Sequence, residues 1–333
     1  MITGYLTEPS VISLALTGRT LFTFCFPQHP CLNKEEKEYL LQLLEKDIAT
    51  LLFCHRCVKL HRWRTRWLSP MISLDARVNK DLPCMWDHLI DHLRFPPSYF
   101  LPYYHARLVM NRHFYGPTHG LSLHRLNWRV EEHYSSTGIT SSSSCSARIV
   151  DDKLLLLSVV TISHSHGNSE ILRRYIDSRG DRCCAHLTLG LRSSSPESVQ
   201  LPLITKDKTA PTYFAPCGQS FGSCTNCLTD YCIHISWHSM KEGYVIELLI
   251  YVEVRDCRSP FDWSWSSITG KDHLALELRT ANPLKYRPGI IIDRWGKDDD
   301  FYDKTRRKWV QSPELHRWRG IISPNRVGHR ARD

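Results

Sequence analysis

Apolar residues in the stretch 39–63, YLLQLLEKDIATLLFCHRCVKLHRW, recur at helical spacing: Leu40, Leu44, Ile48 and Leu51, with Leu41, Leu43 and Leu52 widening the stripe. Asn33 stands three residues before Glu36, and Glu35 and Glu36 make an acidic first turn. The pattern predicts a helix from about Lys34 to about Leu51. Further along, the period changes. ARIVDDKLLLLSVVTISH, 147–164, is two β-rich runs around Asp151-Asp152 and predicts a hairpin. Leu154 to Ile162 is too continuously apolar for a strand wetted on one face, so it belongs inside a sheet. YVIELLIYVEV, 244–254, is the strongest strand pattern in the chain. In YYHARLVMNRHFYGPTHGLSLHRL, 103–126, Leu108 and Met110 alternate with Arg107 and Asn111, which predicts a strand before a turn at Gly116-Pro117. The serine-rich SSTGITSSSSCS, 135–146, predicts a flexible loop, and SSSPES, 193–198, a second one. At the N-terminus, Ile2, Tyr5 and Leu6 close a short helix and Thr7-Glu8-Pro9-Ser10 forms a turn. Val11, Leu14, Ala15, Leu21 and Phe22 then line two more helical segments. There is no internal repeat.

Length and composition narrow this picture. A chain of 333 residues holds one large core or two smaller ones. Its longest apolar run, 154–162, has the length of a strand rather than a membrane span. The first residues lack a basic segment and carry Glu8 and Pro9, so no secretory signal is read there. Thirteen cysteines then point to reduced thiols inside the cell, in cytoplasm or nucleus. The formal charge of +9 is concentrated at the end: residues 285–333 hold thirteen Lys or Arg against seven Asp or Glu. Asp298-Asp299-Asp300 interrupts the basic run, and such mixing describes a solvated, flexible tail, removable from Lys297 onward. Neither nucleic acid nor a membrane is expected as a partner.

The candidate chemistry lies in cysteine and histidine. Cys184 and His186 form a C-x-H pair, and Cys224 and Cys227 a C-x2-C pair some forty residues on. Together they offer the four soft ligands of a tetrahedral zinc ion, and structural zinc is the cofactor expected. Cys54 and Cys57 are an alternative pair that would join Cys224 and Cys227, and the competing account makes all of these buried free thiols. His105, Asn111, His113 and His119 suggest an HNH-like metal nuclease, but no acidic residue stands near them in sequence. There is no G-x-S-x-G, P-loop, G-x-G-x-x-G or H-E-x-x-H, and the expectation is a non-enzyme.

The leucine helix running into Cys54-His-Arg-Cys57 and Leu60-His61 resembles the fungal F-box domain proteins. So do the S-L-A-L-T segment at 13–17, A-R-L-V-M-N-R-H-F-Y-G at 106–116 and G-S-C-T-N-C-L-T-D-Y at 222–231. The family's opening Leu-Pro-x-Glu segment belongs before Ile2, so the box is expected to be N-terminally incomplete. The resemblance implies a substrate adaptor that docks a Skp-type protein of an SCF ubiquitin ligase through Leu6, Pro9, Ile12, Leu14 and Leu16, and presents an unidentified target protein. The alternative is a stand-alone zinc-stabilised interaction module. The architecture expected is α+β. A partial F-box spans 1–27, the leucine helix and knuckle 28–63, and an aromatic and His-rich connection 64–134. The serine loop follows at 135–146, a mostly antiparallel β body at 147–284 and the tail at 285–333.

Overall fold

The structure, a computed structural model, describes residues 8–18, 20, 32–63, 92–95, 99–189, 198–199, 203–204, 213–214, 216–224, 226–239, 243–269 and 287–296. The fold is α+β, with helices and mainly antiparallel sheets. The described residues fall into two compact units, one within 1–91 and 102–122, the other within 92–101 and 123–333.

In the first unit, α1 (Glu8–Ala15) packs against α2 (Lys34–Asp47). Glu8, Pro9 and Ser10, expected as a turn, open α1 instead, because a proline in the first helical turn gives up an N–H that has no partner there anyway. Asn33 caps α2 as its spacing predicts: its side chain accepts from the Glu36 N–H, and the Glu36 carboxylate accepts from the Asn33 N–H, both at 2.9 Å. The helix ends at Asp47, short of Leu51, because Ile48 turns extended and releases Leu51 and Leu52 into a strand. That strand, β1 (Leu51–Cys54), pairs antiparallel with β2 (Lys59–Arg62), so the Cys54–Cys57 knuckle is a hairpin turn.

The stretch expected as a strand at 103–115 is a helix, α3 (Tyr103–Tyr115), between Pro102 and Gly116, whose φ of +99° suits glycine. Tyr103, His105 and every residue from 106 to 111 are buried, so no one-sided apolar stripe exists to announce the helix. The inward polar pair Arg107 and Asn111 is four residues apart, which is helical spacing.

The second unit is built on a six-stranded sheet. β3 (His92–Phe95) and β4 (Tyr99–Pro102) form a small hairpin beside it. β5 (Trp128–Tyr134), β6 (Ile139–Val150) and β7 (Lys153–His164) make one antiparallel meander. α4 (Ser169–Arg179) follows, then β8 (Arg182–Cys184) and β9 (Leu187–Leu189), which pair antiparallel, with β10 (Ser198–Val199) parallel to β9. β11 (Leu203–Ile204) pairs with β12 (Tyr213–Phe214). A second meander, β13 (Cys217–Ser223), β14 (Thr229–Ser239) and β15 (Gly243–Arg255), joins the first where β15 pairs with β7. α5 (Trp263–Thr269) and α6 (Ile290–Trp295) complete the unit.

The Asp151-Asp152 hairpin forms as expected, with both aspartates at positive φ, and β7 and β15 lie at the centre of the sheet. The serine stretch is a strand rather than a loop. Ile139, Ser141, Ser143 and Cys145 alternate inward along β6, where Ser141 faces Ile162 and Ser143 faces Val160. Small hydroxyl residues leave room for the large side chains of β7, and repeated serine conceals the alternation. The β body therefore begins at Trp128 rather than 147.

The tail boundary at 285 also moves. Ile291, Ile292 and Trp295 of α6 lie in one core with Leu155, Leu157, Tyr251 and Cys232. Asp230 accepts from the Ile291 N–H at 2.9 Å, Arg294 pairs with the buried Glu253, and Arg148 donates to the Trp295 carbonyl at 2.8 Å. Residues from Lys297 onward lie outside the described set.

Candidate metal centre

Two turns meet in the second unit. The first joins β8 to β9 and carries Cys184 and His186; Cys184 pairs with Leu187, which forces a tight reversal. The second joins β13 to β14 and carries Cys224 and Cys227. It is closed by the Cys224 N–H on the Thr229 carbonyl at 2.8 Å and the Thr229 N–H on the Cys227 carbonyl at 2.9 Å. Cys184, His186, Cys224 and Cys227 are all buried, and their ligand atoms lie within 4.8 Å of one another. Cys224 Sγ is 3.7 Å from His186 Nδ1.

Backbone amides point at two of these sulfurs. The His186 N–H approaches Cys184 Sγ at 3.4 Å, and the Asn226 N–H approaches Cys224 Sγ at 3.3 Å. Such donors favour a thiolate, the form that binds a metal. Burial pushes the Cys184 and Cys227 thiols well up, whereas hydrogen bonds from Cys184 and Cys227, with His186 beside them, hold Cys224 well down. Burial thus opposes charge on Cys184 and Cys227 while hydrogen bonds favour it on Cys224. A divalent soft cation removes that conflict by replacing the protons. Three sulfurs and one imidazole nitrogen fit zinc, and four protein ligands leave no vertex for substrate, which is the make-up of a structural site.

The neighbouring cysteines do not join the set. Cys183 is buried beside it, Cys232 lies in the sheet core, and Cys217 Sγ contacts the Ile233 carbonyl at 3.6 Å. Cys54 and Cys57, the alternative pair, converge with His61, and these three ligand atoms also lie within 4.8 Å of one another. The spacing C-x2-C-x3-H held the signal for His61.

No family model, curated protein or solved structure matches the chain.

The histidines of the nuclease reading are dispersed. His105 is buried in α3, His113 is exposed, and His119 stands beyond the turn against the Tyr115 ring at 5.9 Å. Asn111 Nδ2 donates to Glu45 Oε1 at 3.0 Å. None of the three histidines belongs to a group of His, Cys, Asp or Glu that could hold a metal ion among the described residues. Of the docking candidates, Pro9 and Ile12 are buried and Leu16 is 52% exposed. Leu6 and the Leu14 side chain lie outside the described residues. No helix among the described residues is long and apolar enough to cross a membrane.

Proposed function

We propose that the chain is a non-catalytic protein-interaction module whose β body is pinned by one structural zinc ion at Cys184, His186, Cys224 and Cys227. The observation that carries this reading is the closed, buried donor set of three sulfurs and one nitrogen, which ties two turns far apart in sequence and offers no open vertex for chemistry. Elemental analysis of the purified chain tests it. Zinc that is retained through dialysis and falls by about one ion per chain in C227S supports the reading. A metal-free protein whose stability is indifferent to chelator overturns it and returns the four residues to buried thiols.

The resemblance to F-box proteins adds a second reading, an adaptor that docks a Skp-type protein. It is favoured by Leu16, a large apolar side chain exposed just past the end of α1. In an interface a buried leucine contributes about 2 kcal/mol, so L16D weakens docking roughly thirtyfold or more. Titration against a purified Skp-type protein decides between the readings. Binding that L16D abolishes supports the adaptor, and zinc without binding leaves the free-standing module.

A further inference from the structure

We propose that the β1–β2 hairpin holds a second, independent zinc ion through Cys54, Cys57 and His61. The hairpin register supplies the first part of the argument. Leu52 pairs with His61 and Cys54 with Lys59, so Cys54 and His61 share a face as diagonal neighbours, while Phe53 and Leu60 take the other face. A side chain as long as histidine spans that diagonal.

The turn supplies the second part. Val58 follows Cys57 with φ +48°, and its N–H donates to the Cys54 carbonyl at 2.9 Å. A β-branched residue in the left-handed region costs on the order of 1–3 kcal/mol and persists only where its surroundings demand it. Here it curls Cys57 back over the face that carries Cys54 and His61, and Cys57 Sγ comes to 3.0 Å from His61 Nε2. Tetrahedral zinc with bonds near 2.3 Å to sulfur and 2.0 Å to nitrogen spaces its ligands by about 3.5–3.8 Å. The Cys57–His61 separation is below that spacing and no pair of the three exceeds 4.8 Å, so side-chain adjustments on the order of 1 Å admit the ion.

Burial separates this site from the first. Cys54 is buried, whereas Cys57 and His61 are partly open to solvent. Three protein ligands with an open flank leave a vertex for water or an added ligand, and an ion so placed exchanges more readily than one in a closed cage. This site is made of other residues and does not rest on the four-ligand centre.

Zinc per chain, measured on full-length protein loaded with Zn2+ and desalted, is the test. The expected ratio is about two for the wild type and about one for C57S, H61A and C227S alike. A ratio unchanged in C57S and H61A overturns the proposal, whatever the wild-type total. The zinc that C57S and H61A retain reports that the rest of the chain is folded. A second measurement uses the Co2+-loaded wild type. Added imidazole should perturb the cobalt absorption bands through the open vertex, and H61A should lose that response. Bands indifferent to imidazole in the wild type also overturn it.

Discussion

Glu45 is 2% exposed and carries a carboxylate in the interior of the first unit. It is tolerated because four donors converge on it. Arg107 Nε reaches Oε1 at 3.0 Å and Arg107 Nη2 reaches Oε2, while Asn111 Nδ2 and the Phe53 N–H reach Oε1 at 3.0 Å each. The residue thus ties α2, β1 and α3 together. Removing one member of such a pair strands a buried charge, so R107M should cost about 3–5 kcal/mol in unfolding free energy. The double variant E45Q/R107M, which removes the stranded charge but keeps an acceptor for Asn111 Nδ2 and the Phe53 N–H, should recover much of that loss; a double variant as unstable as R107M would refute the account. A second residue carries a pH signature. Burial pushes the Cys145 thiol from the ordinary value near 9 up to about 12, partly offset by its hydrogen bond with Tyr99. Below pH 9 the thiol is protonated in folded and unfolded chains, and its contribution is fully present. Between 9 and 12 the unfolded chain releases a proton that the folded chain keeps, so stability falls by about 1.4 kcal/mol per pH unit from this group. Denaturant titrations at pH 8, 9, 10 and 11 should show that decline flattened by about one proton in C145A; parallel curves would refute it. At this scale the convergence of Cys184, His186, Cys224 and Cys227 was readable, because a group able to hold a metal ion needs those residue types at close spacing. His61 was readable only in part, since it meets Cys54 and Cys57 through hairpin register, and register appears once β1 and β2 are paired.

Elements were legible where a helix is buried on one side or a strand on both, and obscure where a helix is buried nearly all round or residue size conceals the period. α2 was announced by its stripe and its Asn33 cap, and β7 and β15 by continuous apolar runs. α3 was misread because its faces are nearly all buried and its inward polar residues answer to Glu45, which stands 62 positions from Arg107. β6 was misread because serine serves both its inward and its outward positions. Short α6 escaped for another reason: its six residues lie in a chain segment whose charge resembles a solvated tail. Its attachment is specific, through Trp295 stacked under the Arg148 guanidinium at 4.8 Å and against Tyr251, and through Asp230 at its first turn. Replacing Trp295 by alanine removes a large buried ring and should cost about 3–5 kcal/mol. Truncation at 286 should be at least as damaging as W295A in thermal unfolding of the full chain. An unaltered midpoint after that truncation would mean that α6 rests on the sheet without contributing to it.

For the whole molecule, the question is what compensates a sheet whose turns must bury three thiols and an imidazole. The second unit has a continuous apolar core around β7 and β15, so the proposed zinc would not be its sole source of order. On the proposed reading the ion adds to the core contact of Leu228 by holding the β8–β9 and β13–β14 turns, whose ordering costs on the order of 1–2 kcal/mol per residue in backbone entropy. A ligand bound only by the folded chain adds stability by mass action, about 1.4 kcal/mol for each tenfold rise in its free concentration per ion released on unfolding. Denaturation of the wild type across chelator-buffered zinc concentrations should therefore give a line of that slope. C227S should flatten it for the transition of the second unit, because a three-ligand remnant in a dry interior binds the ion far less tightly. Chelation should lower the midpoint while leaving β7 and β15 protected against hydrogen exchange, since their amides are paired within the sheet rather than at the turns. Loss of protection along β7 and β15 on chelation would make zinc a condition of the whole fold. A midpoint independent of zinc would remove the metal from its stability altogether.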